Sequence, residues 1–419
     1  MKCTIISDTH LGDPECTLFD KNADGSIKDG ANLGKLLDIM GKDNDCLILL
    51  GDIMDFAIND YEDVYQYSYR FFKSIKEAKA VKRIVYIPGN HDYNIWHTIE
   101  HQSNVINQIN NGKPARKFKM SVPFIMDDRK DAINKYTLAG VTRKDQDDSV
   151  EAYGGMFLDN LIPDNKPGTP DYIPFLVAFP NLYLFTEEKT ILMTHGQYLE
   201  TYWSALSLLY KVLTAKKDSF NIKDFIAVNF PLCELGSIGI GQAGPLTDFA
   251  LEIEKAVTDG KYAPIKNSIK NIVPYIIKEL KIAKLFGLTS WILKKILTNI
   301  TIKSLKKMRN SDYISDLTIN KDEGCIDRFN DYITSSRLEI EQLQRDGRIK
   351  NVSGIPDTFL FGHTHVPVVS NDNKSYLFDN KRITLLNSGG WLTANKSSIA
   401  SGPVVFVYET GKDIKSIKI

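Results

Sequence analysis

Residues 46–55 read CLILLGDIMD. An uncharged apolar run of five residues stops at Gly51 and Asp52, and a second carboxylate follows at Asp55. Five continuous apolar residues suit a strand buried on both faces and are too few for a helix. The pattern recurs on either side. Residues 1–10 read MKCTIISDTH, which predicts a strand over 3–7 ending at Asp8. Residues 83–92 read RIVYIPGNHD, which predicts a strand over 83–87 ending at Pro88. Strands that alternate with longer connections, each running into polar residues at its C-terminal end, are how an α/β sheet presents a site.

Further strands are predicted at 136–141, at a hairpin-like pair 182–185 and 190–194, and at 358–361, 383–386 and 404–408. Between 197 and 356 strand signals thin out, and helices are predicted over 199–213, 248–257, 291–307 and 325–344. In the third, Leu293, Ile296, Leu297 and Ile300 stand at i, i+3, i+4 and i+7, the spacing of one apolar face. The expected organisation is an α/β core in two parts, 1–197 and 356–419, interrupted by a mostly helical insertion over 198–355. Pro163, Pro167, Gly168 and Pro170 mark 160–174 as an irregular surface connection.

Lys and Arg number 52, as do Asp and Glu, so the formal net charge is zero and the chain as a whole is no polyanion binder. A composition 43% hydrophobic and 25% charged excludes wholesale disorder. The first residues turn polar by Ser7, which is unlike an export signal, and no stretch reaches the ~18 uncharged apolar residues of a spanning helix. Five cysteines, an odd number with no CxxC pair, fit a reducing compartment, and a cytoplasmic location is expected.

Five of the seven histidines fall in short polar motifs directly after predicted strands. The motifs are Asp8-Thr9-His10, Gly51-Asp52-Ile53-Met54-Asp55, Gly89-Asn90-His91-Asp92, Thr194-His195-Gly196 and Gly362-His363-Thr364-His365. They offer oxygen and imidazole donors without a thiolate, which suits a divalent ion such as Mn, Fe, Zn or Co. Asp8 and His10, two apart, can grip one ion together, and a central carboxylate such as Asp52 can bridge two.

In these five blocks the chain resembles the calcineurin-like metallophosphoesterase superfamily, whose signature runs DxH, GDxxD, GNH(D/E), H and GHxH in this order. The resemblance implies a four-layer αββα sandwich with a dinuclear metal centre. It implies that Asp8, His10, Asp52 and His365 hold one ion and that Asp52, Asn90, His195 and His363 hold the other. It makes His91 the group beside the leaving oxygen, oriented by Asp55. The implied activity is hydrolysis of a phosphomonoester or phosphodiester by an activated water in line with the leaving group, the two ions neutralising phosphate oxygens. Phe56-Ala57 follow GDxxD where phosphoprotein phosphatases of the superfamily carry Arg-Gly, which disfavours that branch. Gly362-His363-Thr364-His365-Val366-Pro367 with Asn387-Ser388-Gly389-Gly390-Trp391 is more similar to bacterial phosphoesterases, among them the UDP-diacylglucosamine pyrophosphatases. The opening Ser-Asp-Thr-His-Leu-Gly is equally similar to nucleases of double-strand-break repair. A nuclease is therefore the alternative enzyme, and a non-catalytic scaffold the alternative outside enzymes, although no ligand position is lost.

Other features carry weaker signals. Residues 266–309 hold eleven Lys or Arg and one acid, Glu279, either a solvated helix face or a peripheral contact for an anionic membrane or polyanion. His97 and His101, spaced i and i+4, read as surface helix positions. The GxGxxG match at 239–244 lacks a preceding strand and meets Pro245 at once, so it reads as a loop. Tyr198 and Trp203 fit either a cover for the metal cleft or a buried helix face.

Overall fold

The computed structural model describes residues 1–42, 44–129, 153–154, 156–200, 203–204, 206–207, 221–234, 323–393 and 402–419. The chain partitions into a unit of Met1–Ile238 with Ile314–Ile419 and a unit of Gly239–Tyr313. The second lies outside the described residues, as do the strand expected at 136–141, the helices expected at 248–257 and 291–307, the loop at 239–244 and the basic segment 266–309.

The described strands are β1 (Lys2–Ile6), β2 (Phe19–Lys21), β3 (Ile27–Asp29), β4 (Cys46–Leu49), β5 (Ile84–Tyr86), β6 (Phe124–Asp127), β7 (Tyr153–Gly154) and β8 (Phe175–Val177). They continue as β9 (Asn181–Phe185), β10 (Thr190–Thr194), β11 (Thr358–Phe361), β12 (Ser375–Phe378), β13 (Lys381–Asn387), β14 (Val404–Glu409) and β15 (Lys415–Lys418). One sheet runs β15-β14-β1-β4-β5-β8-β7 and the other β12-β13-β11-β10-β9-β6, with β2-β3 a small ribbon. Within the first, β1, β4, β5 and β8 are mutually parallel. Within the second, β10, β11 and β13 are parallel.

Alternation along the strands builds the layers. Cys3 and Ile5 of β1, Ile48 of β4 and Val85 of β5 share one buried cluster with Leu184 of β9, Met193 of β10 and Leu360 of β11, which is the interior between the sheets. The intervening residues face outward onto helices. On the first sheet Ile6, Leu47 and Ile84 meet Leu33 and Leu36 of α1 (Ala31–Met40) and Phe71 and Phe72 of α2 (Tyr61–Glu77). On the second, Tyr183, Leu192 and Phe359 meet Phe225 of α4 (Ile222–Glu234) and Phe329 and Tyr332 of α5 (Glu323–Arg345); α3 (Tyr93–His101) follows β5. The Phe329 and Phe359 rings lie edge to face with centroids 5.1 Å apart. The four-layer αββα sandwich expected from the sequence is the fold observed.

Helix α2 shows why such a layer forms. Val64, Tyr67, Phe71 and Ile75 fall on one face and are buried, Glu62 and Asp63 sit in the first turn, and Lys76 in the last, so both the apolar stripe and the helix dipole are served. β1, β4 and β5 end one residue earlier than predicted, at Ile6, Leu49 and Tyr86, with the site turns following directly. All five cysteines are free and buried; Cys3 and Cys46 face each other in register across β1 and β4. Among the described residues no helix is long and apolar enough to cross a membrane.

Candidate metal centre

The motif residues gather where the parallel strands of both sheets end. The turns after β1 and β4 are laced together: the Asp8 N–H donates to the Gly51 carbonyl at 3.0 Å, that of His10 to Asp52 at 3.0 Å, and that of Asp55 to Leu11 at 3.1 Å. Asp8, His10, Asp52, His363 and His365 all have left-handed backbone, with φ of 52, 46, 51, 65 and 56°. Such conformations are costly for residues with side chains and persist where the surroundings hold them. Here they turn five of the motif donors toward one edge of the sandwich.

Two glycines make the crowding possible. A Cβ on Gly89 would stand 2.3 Å from Asp52 Oδ1 and 2.7 Å from His195 Cδ2, and one on Gly362 would stand 2.2 Å from Asp8 Oδ2. No larger residue fits between these groups.

Asp8, His10 and His365 each bring a donor atom within 4.8 Å of the others, and Asp52, His195 and His363 do the same. His10 Nε2 and His365 Nε2 are 3.1 Å apart, and His365 Nε2 is 3.4 Å from Asp8 Oδ1. His195 Nε2 lies 3.0 Å from Asp52 Oδ2 and 3.1 Å from Asn90 Oδ1, which brings Asn90 to the second group. Nδ1 of His195 is 3.0 Å from the Leu50 carbonyl, which can only accept, so a proton belongs on Nδ1 and in the neutral ring it is Nε2 that presents a lone pair. A lone pair facing two oxygen acceptors is repulsive without a positive charge among them. The donor set and this convergence therefore fit a divalent cation in each group.

The electrostatics show the same demand for positive charge, which in the metal-free protein a second ring proton meets. Burial works to lower the basicity of His195, but the Asp52 and Asp8 carboxylates outweigh it and raise the imidazole to about 9. For Asp52 burial pushes the carboxyl up, yet the His195, His91 and His10 imidazoles together hold it well below the usual range. Asp8 is likewise lowered, its burial outweighed by His365 and His195.

A third group, His10, Asp55 and His91, adjoins the first. His91 Nδ1 is 2.8 Å from Asp55 Oδ1, and the His91 side chain is 20% exposed, open enough to meet a substrate. Burial lowers its basicity, but Asp55 and Asp52 carry it to about 10. A ring charged at neutral pH with Nδ1 engaged has Nε2–H left to donate.

Asp92, the last residue of the third block, braces the backbone. It accepts from the N–H groups of Gly89 at 2.6 Å, Ile53 at 2.8 Å, Asp52 at 3.3 Å and Met54 at 3.4 Å, and from the Tyr86 hydroxyl. The backbone carbonyl of Leu50 is the acceptor His195 uses. His97 and His101 dock α3 rather than lining the cleft: His97 Nδ1 is 3.1 Å from Glu234 Oε1, and both rings stack edge to face on Phe118. Tyr198 is buried among Phe179, Phe225 and Tyr332, so it is core.

Several residues at the site were given no role there from the sequence. Ser7 Oγ donates to Asp8 Oδ2 and also contacts Ser388 Oγ. Asn387, the last residue of β13, donates to the Gly362 carbonyl at 2.9 Å and to Thr364 Oγ1 at 3.0 Å, fixing the turn that carries His363 and His365. Its position, a polar residue closing an apolar strand, was the available signal. Glu200 Oε2 lies 3.2 Å from His363 Nε2, with the distance of an ion pair rather than the alignment of a hydrogen bond. Burial pushes the Glu200 carboxyl up, but His363 and Arg328 outweigh it and leave it lowered. Nothing in the local sequence marked Glu200.

A sandwich that sets carboxylate and imidazole donors at the C-terminal edge of both its sheets is the build of a metal-dependent hydrolase. A family model described as calcineurin-like phosphoesterase matches residues 1–217, more than half of the chain, and the protein belongs to that family of metal-dependent phosphoesterases. The match stops short of His363 and His365, which the fold itself delivers to the site. No curated protein matched the chain.

Proposed function

We propose that this protein hydrolyses a phosphomonoester or phosphodiester at a two-ion centre. Asp8, His10, Asp52 and His365 hold one ion, and Asp52, Asn90, His195 and His363 the other, with Asp52 shared. The observation that carries the reading is the pair of donor groups, Asp8-His10-His365 and Asp52-His195-His363, with the His91–Asp55 pair beside them. When bound, two divalent ions neutralise phosphate oxygens and lower the pKa of a water for in-line attack.

The protein's own residues supply the rest. Asp55 orients the His91 ring and favours its charged form, and His91 donates a proton to the oxygen that leaves. Leu50 sets the tautomer of His195 through its carbonyl. Phe56-Ala57 after the second block argue against a phosphoprotein substrate, and the Gly362–Pro367 and Asn387–Trp391 runs support the bacterial type. The five free, buried cysteines support action in a reducing, cytoplasmic setting.

The test is turnover of p-nitrophenyl phosphate, bis-p-nitrophenyl phosphate, UDP-linked lipid and single-stranded DNA after chelation and re-addition of Mn, Zn, Fe or Co. Hydrolysis that vanishes on chelation and returns with an ion supports the proposal, and the preferred substrate separates the pyrophosphatase-like reading from the nuclease. Full hydrolysis by the chelated protein, or none of any ester with any ion, would overturn it.

A further inference from the structure

Three buried imidazoles of the donor groups each turn one ring nitrogen toward an acceptor outside those groups or beside them. His195 uses the Leu50 carbonyl at 3.0 Å, and His10 the Asp55 carboxylate at 3.1 Å. The third is His363, whose Nε2 faces Glu200 Oε2 at 3.2 Å.

We propose that Glu200 is a positioning residue for His363: its carboxylate accepts a hydrogen bond from the ring Nε2–H, which fixes the tautomer and leaves Nδ1 as the ring's ligand atom. The inference rests on the two-ion reading above and adds to it a residue outside all five motif blocks. A carboxylate on the far nitrogen of a ligand histidine orients the ring and makes it a better donor.

The surroundings are built for this contact. Gly196, at φ 113°, reverses the chain just after His195, and the turn Gln197–Leu199 that follows returns Glu200 to the site, its N–H donating to the Gln197 carbonyl at 3.0 Å. Arg328 of α5 donates from Nε to the Leu199 carbonyl, which anchors that turn to the helix layer. His363 is pinned from its other end, its backbone N–H donating to both Asp8 carboxylate oxygens at 2.9 and 3.0 Å. The His363 side chain is 8% exposed, so its ring N–H needs a protein acceptor; Glu200, 31% exposed, has the freedom to align with it. Among the described residues the groups that cluster with His363 as donors are Asp52 and His195, so Glu200 meets the ring from outside that group.

Metal-free wild type, Glu200→Gln and Glu200→Ala are titrated with Zn or Mn alone, without substrate, and ions per chain and affinities are read by calorimetry. Nitrogen-15 spectra of labelled histidine report the His363 tautomer. Wild type is expected to bind two ions and to carry the His363 proton on Nε2. Glu200→Ala should weaken one ion by roughly 10–100-fold and leave the other within about twofold, with His363 now a mixture of tautomers. Glu200→Gln, whose side-chain carbonyl also accepts, should recover most of the affinity. Two ions at wild-type affinity in Glu200→Ala would overturn the inference. So would a wild-type His363 with its proton on Nδ1, a result that needs no variant to fold. A wild type that binds no ion overturns the two-ion reading itself.

Discussion

His91 is tied to Asp55 through Nδ1, 2.8 Å from Oδ1, while the other oxygen of the same carboxylate lies 3.1 Å from Nδ1 of His10. One carboxylate thus serves both the proposed proton donor and a proposed metal ligand. The arrangement separates two variants that sequence alone would treat as one.

His91→Ala is expected to leave ion content near wild type and to lower turnover by roughly 100–10,000-fold, the range for a lost general acid. The loss should be largest for alkyl esters and small for aryl esters, whose leaving group hardly needs a proton. Asp55→Asn should lower turnover similarly and also loosen one ion by roughly 10–100-fold, because His10 loses its carboxylate partner. Paired metal titrations and rate measurements on both ester types check this; equal loss of His91→Ala activity on both esters would remove His91 from the donor role.

Asp52 has the more central place of the two loop carboxylates, with His195 against Oδ2 and the His91 N–H donating to Oδ1 at 2.7 Å. Asp52→Asn is expected to retain less metal than His10→Gln, which weakens one group directly. Elemental analysis decides, and two ions retained per chain in Asp52→Asn would contradict the shared role.

Asp92 satisfies four backbone N–H groups and a tyrosine hydroxyl, and it is buried. Asp92→Ala strands these donors without water, so a loss on the order of 3 kcal/mol in unfolding free energy is expected. Because the same N–H groups shape the Asp52 turn, ion affinity should fall as well. Urea unfolding of the metal-free protein gives the first quantity and calorimetry the second.

Glu339 of α5 is buried and accepts from Ser121, from Tyr183 at 2.7 Å and from Asn181 at 3.3 Å. Burial raises its carboxyl above the ordinary 4.5, and these hydrogen bonds only partly oppose it. The folded protein therefore holds a proton that the unfolded chain releases, so the contribution of Glu339 is full below pH 4.5 and is lost as pH rises through its folded value. Urea midpoints from pH 4.5 upward should fall more steeply for wild type than for Glu339→Gln, and parallel curves would show that Glu339 does not carry the dependence.

The strands and the five blocks were readable because their physics is local. An apolar run that stops at a Gly and an Asp reports both a strand buried on two faces and its functional end, so residues 46–55 disclosed β4 and Asp52 together. The helix predicted at 325–344 was readable for the same reason and is observed as Glu323–Arg345. Less was legible where the local pattern was short or mixed. β12, with a half-exposed sequence, and the single-block strands β6 and β8 were not singled out.

What the sequence determined by itself is the set of candidate donors and the order in which strands present them, since both follow from residue type and from periodicity along the chain. Only the tertiary structure decided which acceptor meets Nδ1 of His195 and of His10. Leu50 reaches His195 from 145 residues away and Asp55 reaches His10 from 45. Ser7 meets Ser388 across 381 residues, and Glu200 faces His363 from a different strand end. These partners carry no motif because a hydrogen bond asks only for an acceptor at the right place, and that place exists once two sheets have packed face to face.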